Sequence, residues 1–296
     1  MDYVGHIFRP PSEADSLLLQ VTIGCSHNGC TYCGMYRDPV QRFRTKPRET
    51  VAADLDQAAA YSRDVEPIRR VFLCDGDALV LSTDRLLEIL GQIREKLPHA
   101  RRVGLYGDAR TILRKSDDEL LALREAGLGI VYHGAESGDD EVLRRVDKGS
   151  TAADAAGAAA KLKRAGIRHS VMVMLGLGGS ERSREHAAAT ARLLTAMDPP
   201  FVGALTTTLV PDTPLAAEAD AGRFTLPDPW EMLAELRVLV ADSVFTRCRF
   251  HANHASNYVP LSLNLPADRE VALRTLDGLL LTRDRAQLRP EHRRGL

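Results

Sequence analysis

The fold is decided by residues 17–36, "LLLQVTIGCSHNGCTYCGMY". Residues 17–24 are an apolar, β-branched run that is typical of a buried strand. A glycine-rich loop follows at once and carries Cys25, Cys30 and Cys33 within nine residues. The whole chain of 296 residues has only five cysteines. Thiols clustered in this way more often bind metal or take part in catalysis than form a disulfide framework.

Short apolar runs alternate with Ala/Leu-rich helical patterns along most of the chain. The predicted strands are 17–24, 70–75, 102–107, 129–137, 169–176 and 201–210, and the predicted helices between them are 49–63, 83–97, 116–126, 151–166 and 181–197. Strands that alternate with helices predict a parallel α/β sheet. The number and length of the repeats favour a partial (β/α)6 TIM-like barrel with a C-terminal extension, and an open doubly wound sheet is the alternative.

The pattern changes after about residue 211. A Pro/Asp-rich loop is predicted first, then a helix at 230–244, a mostly irregular stretch from Cys248 to Pro266, and a last helix at 267–281. We therefore predict an N-terminal segment at 1–16, a core domain at 17–215, and an extension at 216–296 that packs on the core. No linker or repeat in the sequence requires a second domain.

The composition excludes several classes of protein. The net charge is −1, with 39 basic and 40 acidic residues, which gives no support for nucleic-acid binding. The N-terminus lacks the layout of a signal peptide, and no apolar run approaches the roughly 20 residues of a transmembrane helix. Few cysteines and no secretory signal lead us to expect a cytoplasmic protein with no membrane partner.

The cysteine loop follows a strand, and ligands bind at the carboxyl ends of strands in both parallel architectures. Three thiolates alone cannot complete a four-ligand structural zinc site. They could hold three irons of a [4Fe–4S] cluster and leave the fourth open. A zinc site that adds His27, or three unrelated cysteines, are the alternatives that the spacing leaves open.

The loop resembles that of the radical S-adenosylmethionine (SAM) enzymes, which carry C-x3-C-x2-C after the first barrel strand and an aromatic residue before the last cysteine. Tyr32 occupies that aromatic position. The first gap in this chain is one residue longer, so the loop resembles a C-x4-C-x2-C variant subgroup. The resemblance implies that Cys25, Cys30 and Cys33 bind a [4Fe–4S] cluster.

Further stretches resemble the family in the right order, over roughly residues 17–215. The resemblance implies that Asp75, Gly76 and Asp77 hold the amino group of SAM, although the family's Gly-Gly-Glu turn has become "DGD". A plain strand-end turn is the alternative for Asp77. Glu136 and Ser137 in "GAESG" would contact the ribose or the methionine amine, and the glycines of "LGLGG", Gly176 and Gly178, would lie against the adenine. Helix capping by Ser137 or Asp139 is compatible with this role.

The implied function is that of an oxidoreductase-type radical SAM enzyme, which cleaves SAM reductively to a 5′-deoxyadenosyl radical that takes hydrogen from a substrate. A small-molecule or peptide substrate and an electron donor such as flavodoxin or ferredoxin are the expected partners. A non-catalytic iron–sulfur carrier or sensor, or a zinc protein, is the alternative function. Candidate substrate contacts are His251, Asn253, His254 and Asn257, with a structural hydrogen-bond network as the other interpretation.

The sequence leaves two alternative roles for each of two further groups of residues. Arg42, Arg44 and Lys46 follow the cysteine loop and either meet an anionic substrate or are solvated surface charge. Cys74 adjoins Asp75 and is either a reactive thiol or, as we expect, a buried core cysteine.

Overall fold

The computed structural model describes residues 1–295. Ten strands are present in these residues: β1 Leu17–Gln20, β2 Thr22–Ile23, β3 Arg44–Thr45, β4 Arg70–Cys74, β5 Arg102–Tyr106, β6 Leu128–Glu136, β7 Arg168–Leu175, β8 Phe201–Thr206, β9 Cys248–His251 and β10 Ser262–Leu265. The helices of the same residues are α1 Arg48–Asp64, α2 Thr83–Lys96, α3 Ala109–Arg114, α4 Asp117–Glu125, α5 Asp140–Arg145, α6 Ala152–Arg164, α7 Gly179–Met197, α8 Pro214–Asp220, α9 Pro229–Asp242 and α10 Arg269–Thr282.

Strand order distinguishes the two predicted architectures. The main sheet is hydrogen-bonded in the order β1-β4-β5-β6-β7-β8-β9-β10. A doubly wound sheet reverses direction at a switch point, whereas these strands follow one another in chain order, as in a barrel. The pairs β1–β4, β4–β5, β5–β6 and β7–β8 are parallel. The α/β class and the partial TIM-like arrangement are confirmed.

The helix boundaries show why the sequence signals worked. Ser116 caps α4 through a reciprocal capping box with Glu119, and Gly127 follows the helix at a φ of +117°. The box satisfies two backbone N–H groups that a helix start leaves without partners. Gly166 ends α6 in the same left-handed region, at a φ of +69°.

The prediction for the C-terminal part missed three short elements. The stretch from Cys248 to Pro266 is mostly irregular, as predicted, but it contains β9, which pairs antiparallel with β10 and parallel with β8. The loop after residue 211 contains α8, which begins at Pro214 with Thr213 as its side-chain cap. These elements have four to seven residues, too few for a period to be read reliably. The short helices α3 and α5 were missed for the same reason.

The chain divides into two compact units. The first contains residues 1–28, 35–133 and 160–169, and the second contains 29–34, 134–159 and 170 onward. Each has its own interior. In the first, Leu19, Val71 and Leu73 are fully buried, and the buried carboxylate of Glu13 accepts from Arg102 and from the hydroxyl of Tyr132.

The interior of the second unit joins predicted core and predicted extension. One apolar cluster contains Val171 and Val173 of β7 together with Leu236 of α9, Phe250 of β9 and Leu276 of α10. These side chains are almost completely excluded from solvent. Burial of this extent supports the proposal that residues 216–296 pack on the core.

We expect Leu276→Ala to lower the free energy of unfolding by about 2–5 kcal/mol, because it leaves a cavity in this cluster. Leu281→Ala is the matched control, since Leu281 lies in the same helix but is 86% exposed while Leu276 is 0% exposed. The control should change stability by less than about 0.5 kcal/mol. Urea unfolding followed by circular dichroism measures both. Equal effects of the two substitutions would contradict packing of α10 on the core.

Candidate functional site

The cysteine loop leaves β2 at Gly24. Gly24 has a φ of +74°, and a Cβ at this position would lie 2.0 Å from the carbonyl oxygen of Gln41. Only glycine fits such a close approach. The turn within the loop is closed by the Cys33 N–H, which donates to the Cys30 carbonyl at 3.3 Å. None of the three cysteines forms a disulfide, and all three are partly exposed.

The thiol geometry by itself does not assign a metal. Among residues 1–295, no three side chains of His, Cys, Asp or Glu are grouped closely enough to hold a metal ion. What fits an iron–sulfur cluster is the chemistry of the donor set, three cysteines without a disulfide on one short glycine-rich loop. The binding of a cluster by Cys25, Cys30 and Cys33 therefore stays a prediction.

The end of β4 packs directly on this loop in the first unit. A Cβ on Gly76 would lie 2.9 Å from Cβ of Cys25 and 2.7 Å from Cε2 of Tyr36. The Gly76 N–H donates to the Gly24 carbonyl at 3.2 Å. The contact with Cys25 thus requires glycine at residue 76, in the turn after β4 that resembles the Gly-Gly-Glu turn of the family.

Asp75 fixes the same junction with its carboxylate. Its Oδ2 accepts from Gln20 Nε2 at 2.9 Å and from the Gly24 N–H at 3.2 Å, while Oδ1 is buried without a hydrogen-bond partner among the described residues. Burial raises the pKa of Asp75 to about 6, although the two hydrogen bonds oppose the change. A buried acceptor with no partner is a place where a ligand donor could bind.

Asp77 is occupied by protein groups. Its Oδ2 accepts from Ser26 Oγ at 2.6 Å, and its Oδ1 accepts from Thr111 Oγ1 at 3.0 Å and from the Asp108 N–H at 3.2 Å. Burial is the main cause that raises the pKa of this carboxyl. In this arrangement Asp77 ties the cysteine loop to the segment after β5. The sequence did not reveal Ser26, Asp108 or Thr111 as its partners.

In the second unit, the aromatic residue of the loop meets the end of β6. Burial, followed by the charge of Glu136, raises the pKa of Tyr32 well above its usual range. Glu136 has a φ of +64°, and Lys148 Nζ lies 3.3 Å from its Oε1. A Cβ on Gly134 would come within 1.9 Å of that oxygen, so Gly134 makes room for the carboxylate. Lys148 belongs to the stretch that resembles the family, but no role was predicted for it.

Ser137 is hydrogen-bonded within the protein. It is fully buried, its Oγ lies 2.8 Å from His186 Nδ1, and it accepts from the Asp139 N–H at 2.9 Å. Asp139 caps α5 through the N–H groups of Glu141 and Val142, as the sequence allowed. A contact between Ser137 and SAM stays a prediction.

The glycine-rich turn after β7 is held by a buried carboxylate from α9. The Gly176 N–H donates to Glu235 Oε2 at 2.6 Å, and Ser183 Oγ donates to Glu235 Oε1 at 2.7 Å. Burial is the main cause that raises the pKa of Glu235. Gly176 has a φ of +81°, and a Cβ on Gly178 would lie 2.9 Å from Cβ of His186. No sequence signal pointed to Glu235, which lies 59 residues from Gly176.

The four candidate substrate contacts separate into two pairs. His251 Nδ1 lies 3.3 Å from Ser262 Oγ, and Asn253 Nδ2 donates to the same oxygen at 3.2 Å. Burial lowers the pKa of His251, which keeps its imidazole neutral at pH 7. These two side chains remain candidates for contact with a substrate.

The other pair forms an internal network. Asn257 is buried, accepts from Thr206 Oγ1 at 2.8 Å and donates to the Ala204 carbonyl at 2.9 Å. His254 Nδ1 lies 2.9 Å from Ser256 Oγ. These bonds favour the structural interpretation for Asn257 and His254. A residue that sequence reasoning missed is Thr207, just after β8, whose buried hydroxyl has no hydrogen-bond partner in the described part of the chain.

Asp75→Asn tests the electrostatics of the β4 junction. Because the folded pKa of about 6 exceeds the unfolded value near 4, folding favours the protonated acid, and wild-type stability falls as the pH rises through 6. The neutral variant avoids this loss, so at pH 8 it should be more stable by about 1–2 kcal/mol, with a difference that shrinks toward pH 4.5. Urea unfolding across this range measures the difference.

Exposed Asp64 at the end of α1 supplies the control, since Asp64→Asn should change stability little at any pH. A pH-independent loss of stability in Asp75→Asn would contradict the raised pKa, because it would show that the hydrogen bonds to Asp75 hold its carboxylate charged.

Comparisons with known proteins identify the family of this chain. The family model described as "Radical SAM superfamily" matches residues 19–191. Three solved structures are similar in fold at low identity. Methylornithine synthase (PylB) has a TM-score of 0.56 at 16% identity, and the similar region covers 88% of this chain and 68% of the synthase chain. Coproporphyrinogen III oxidase (HemN) from Escherichia coli has a TM-score of 0.56 at 18% identity, with 76% and 51% covered.

The third structure is the radical SAM methyltransferase TsrM from Kitasatospora setae, described with cobalamin and a [4Fe–4S] cluster bound, with a TM-score of 0.54 at 21% identity and 72% and 41% covered. This chain thus spans between two fifths and two thirds of the length of these neighbours. No curated protein matches the chain.

No helix of residues 1–295 is long and apolar enough to cross a membrane. Because the family model matches more than half of the chain and includes the cysteine loop, β4 and the end of β6, the function as a carrier or sensor is not favoured. The chain belongs to the radical SAM superfamily, whose enzymes use a [4Fe–4S] cluster and S-adenosylmethionine.

Proposed function

We propose that this protein cleaves SAM reductively at a [4Fe–4S] cluster held by Cys25, Cys30 and Cys33, and that the resulting 5′-deoxyadenosyl radical takes hydrogen from a small-molecule or peptide substrate. The observation that carries the proposal is the packing of Gly76 directly on Cys25, in a chain of this superfamily. It brings the residues predicted to hold the amine of SAM against the loop predicted to hold the cluster.

The residues present suit both groups. Three thiolates leave one iron of a [4Fe–4S] cluster without a protein ligand, and the cluster and SAM together supply one-electron cleavage of the sulfonium. The unpartnered Oδ1 of Asp75 can accept a hydrogen bond from an ammonium group. Glu136 can accept from hydroxyl or ammonium donors, and its ion pair with Lys148 holds the carboxylate in place.

The glycine turn after β7 and the loop residue Tyr32 would form the adenine side of the site. Gly176 and Gly178 expose backbone there, and Glu235 fixes the turn from behind. The protein's part in the chemistry is to orient SAM and to exclude water from a reactive radical. His251, Asn253 and the hydroxyl of Thr207 are the side chains that we assign to the substrate region.

The class of substrate follows from charge and composition. A net charge of −1 favours a small molecule or peptide over nucleic acid. None of the five cysteines forms a disulfide, which supports a reducing, cytoplasmic place of action. The electron donor would then be a low-potential protein such as flavodoxin or ferredoxin.

The test is the formation of 5′-deoxyadenosine. After anaerobic reconstitution with iron and sulfide, the protein should bind about four irons per chain and form 5′-deoxyadenosine from SAM and dithionite. Cys30→Ala should lose both the bound iron and the formation of 5′-deoxyadenosine, because the substitution removes one of the three proposed cluster ligands. Chromatography and iron analysis measure the two quantities.

Cys248→Ala is the matched control, since Cys248 is a free cysteine buried in β9 and outside the loop. It should keep iron and product formation. A fully loaded wild-type cluster that forms no 5′-deoxyadenosine would contradict the proposed reaction, and equal loss in the two variants would contradict the assignment of the ligands.

A further inference from the structure

A basic and apolar surface adjoins the cysteine loop in the first unit. We call it the Phe43 patch. It consists of the exposed side chains Met35, Val40, Arg42, Phe43 and Arg44 and the arginines of the neighbouring helix α3, Arg110 and Arg114. Phe43, Arg110 and Arg114 line one cavity of about 210 Å³ together with Ser26 and Val80. Neither the cofactor sites nor the substrate region described above uses this surface.

The apolar content of the patch is unusual for this chain. Eleven large apolar side chains are exposed among the described residues, and Met35, Val40 and Phe43 fall within nine consecutive positions. Scattered exposed apolar residues need no explanation, but a group of them rimmed by charge is typical of a binding surface. Aromatic residues, methionine and arginine are also the types enriched at protein–protein interfaces.

The charge of the patch is equally local. The patch carries four arginines, of which Arg110 is ion-paired with Asp108 at 2.8 Å, and the one acid among residues 35–44 is Asp38. Asp38 is engaged as the cap of a short helical turn, where its Oδ1 accepts from the Val40 N–H. Lys46, which the sequence grouped with Arg42 and Arg44, is not part of the patch, because it is buried and paired with Asp54 at 2.9 Å.

The patch touches the loop that carries Cys25. The backbone of Gln41–Phe43 lies against Gly24, the residue before Cys25. Arg110 Nη1 lies 3.2 Å from His27 Nδ1, and Asn28 Nδ2 donates to the Tyr36 carbonyl at 2.9 Å. A partner seated on the patch would therefore contact residues that pack against the Cys25 end of the loop.

From these contacts we propose that the Phe43 patch is the docking surface of an acidic one-electron donor protein of the flavodoxin or ferredoxin type. The proposal rests on the function proposed above, since it requires a cluster on this loop. One electron leaves the donor and enters the cluster, and no bond forms or breaks in that transfer. Complementary charge steers encounter and raises the association rate, while the apolar side chains contribute the desolvated centre of the contact.

The experiment compares wild type with Arg42→Glu/Arg114→Glu, which reverses two exposed charges of the patch. The matched control is Arg184→Glu/Arg192→Glu, two exposed arginines of α7. Both variants change the net charge by −4, so any difference reports position. Oxidised flavodoxin and oxidised ferredoxin are titrated into each protein by calorimetry at 50 and 300 mM salt. Formation of 5′-deoxyadenosine is measured with each reduced donor and, separately, with dithionite.

For the patch variant we expect binding of the donor to weaken by about tenfold or more at low salt, with little remaining salt dependence. Product formation driven by the donor should fall to a similar extent, whereas that driven by dithionite should match wild type. The control variant should behave as wild type in every assay.

The proposal would be overturned if the patch and control variants bound the donor equally well, or if wild type bound neither donor. It would also be overturned if the patch variant lost as much 5′-deoxyadenosine formation with dithionite as with the donor, because the patch would then belong to the cofactor site. Salt-sensitive binding of transfer RNA that the patch variant alone loses, with donor binding intact, would identify a nucleic-acid surface instead. If no protein forms 5′-deoxyadenosine with dithionite, the proposed function fails, and the titration still decides the docking surface.

Discussion

The contact between Gly76 and Cys25 is the constraint on which the site depends. The end of β4 approaches the first cysteine so closely that no side chain fits at residue 76, and the backbone of Gly24 accepts from the Gly76 N–H. The loop is therefore fixed by backbone contacts to the strand whose end would hold the amine of SAM. Backbone contacts of this kind tolerate the change from a Gly-Gly-Glu turn to Asp75-Gly76-Asp77.

Buried carboxylates fix further loops and turns within each unit. Asp77 joins Ser26 of the loop to the segment after β5, and Glu235 holds the turn at Gly176. Burial raises the pKa of both acids, so each is retained at an electrostatic cost. Such a cost is tolerable where a well-satisfied network fixes a single geometry, which a radical site needs in order to exclude side reactions.

The sequence predicted features that depend on neighbouring residues, but not contacts between residues that are far apart in the chain. The strand–helix alternation, the cap at Ser116, and the positions of Cys25, Tyr32 and Glu136 all follow from patterns within a few residues. Glu235 and Thr111 could not be predicted, because each meets its partner across more than 30 residues. The strands β9 and β10 were missed because four residues carry too little periodicity. The residue type of Asn257 suggested a contact with the substrate. Only the structure shows that its side chain is hydrogen-bonded to Thr206 and Ala204 of β8.

The central claim is that the cysteine loop leaves one iron of the cluster open for SAM, and the measurement that tests it most directly is electron–nuclear double resonance on the reduced cluster. SAM labelled with ¹⁵N in its amino group and ¹⁷O in its carboxylate would be added to the anaerobic protein. We expect hyperfine coupling from both labels, because the amino and carboxylate groups would both bind the open iron. A reduced cluster whose spectrum SAM leaves unchanged, with no coupling from either label, would contradict the claim.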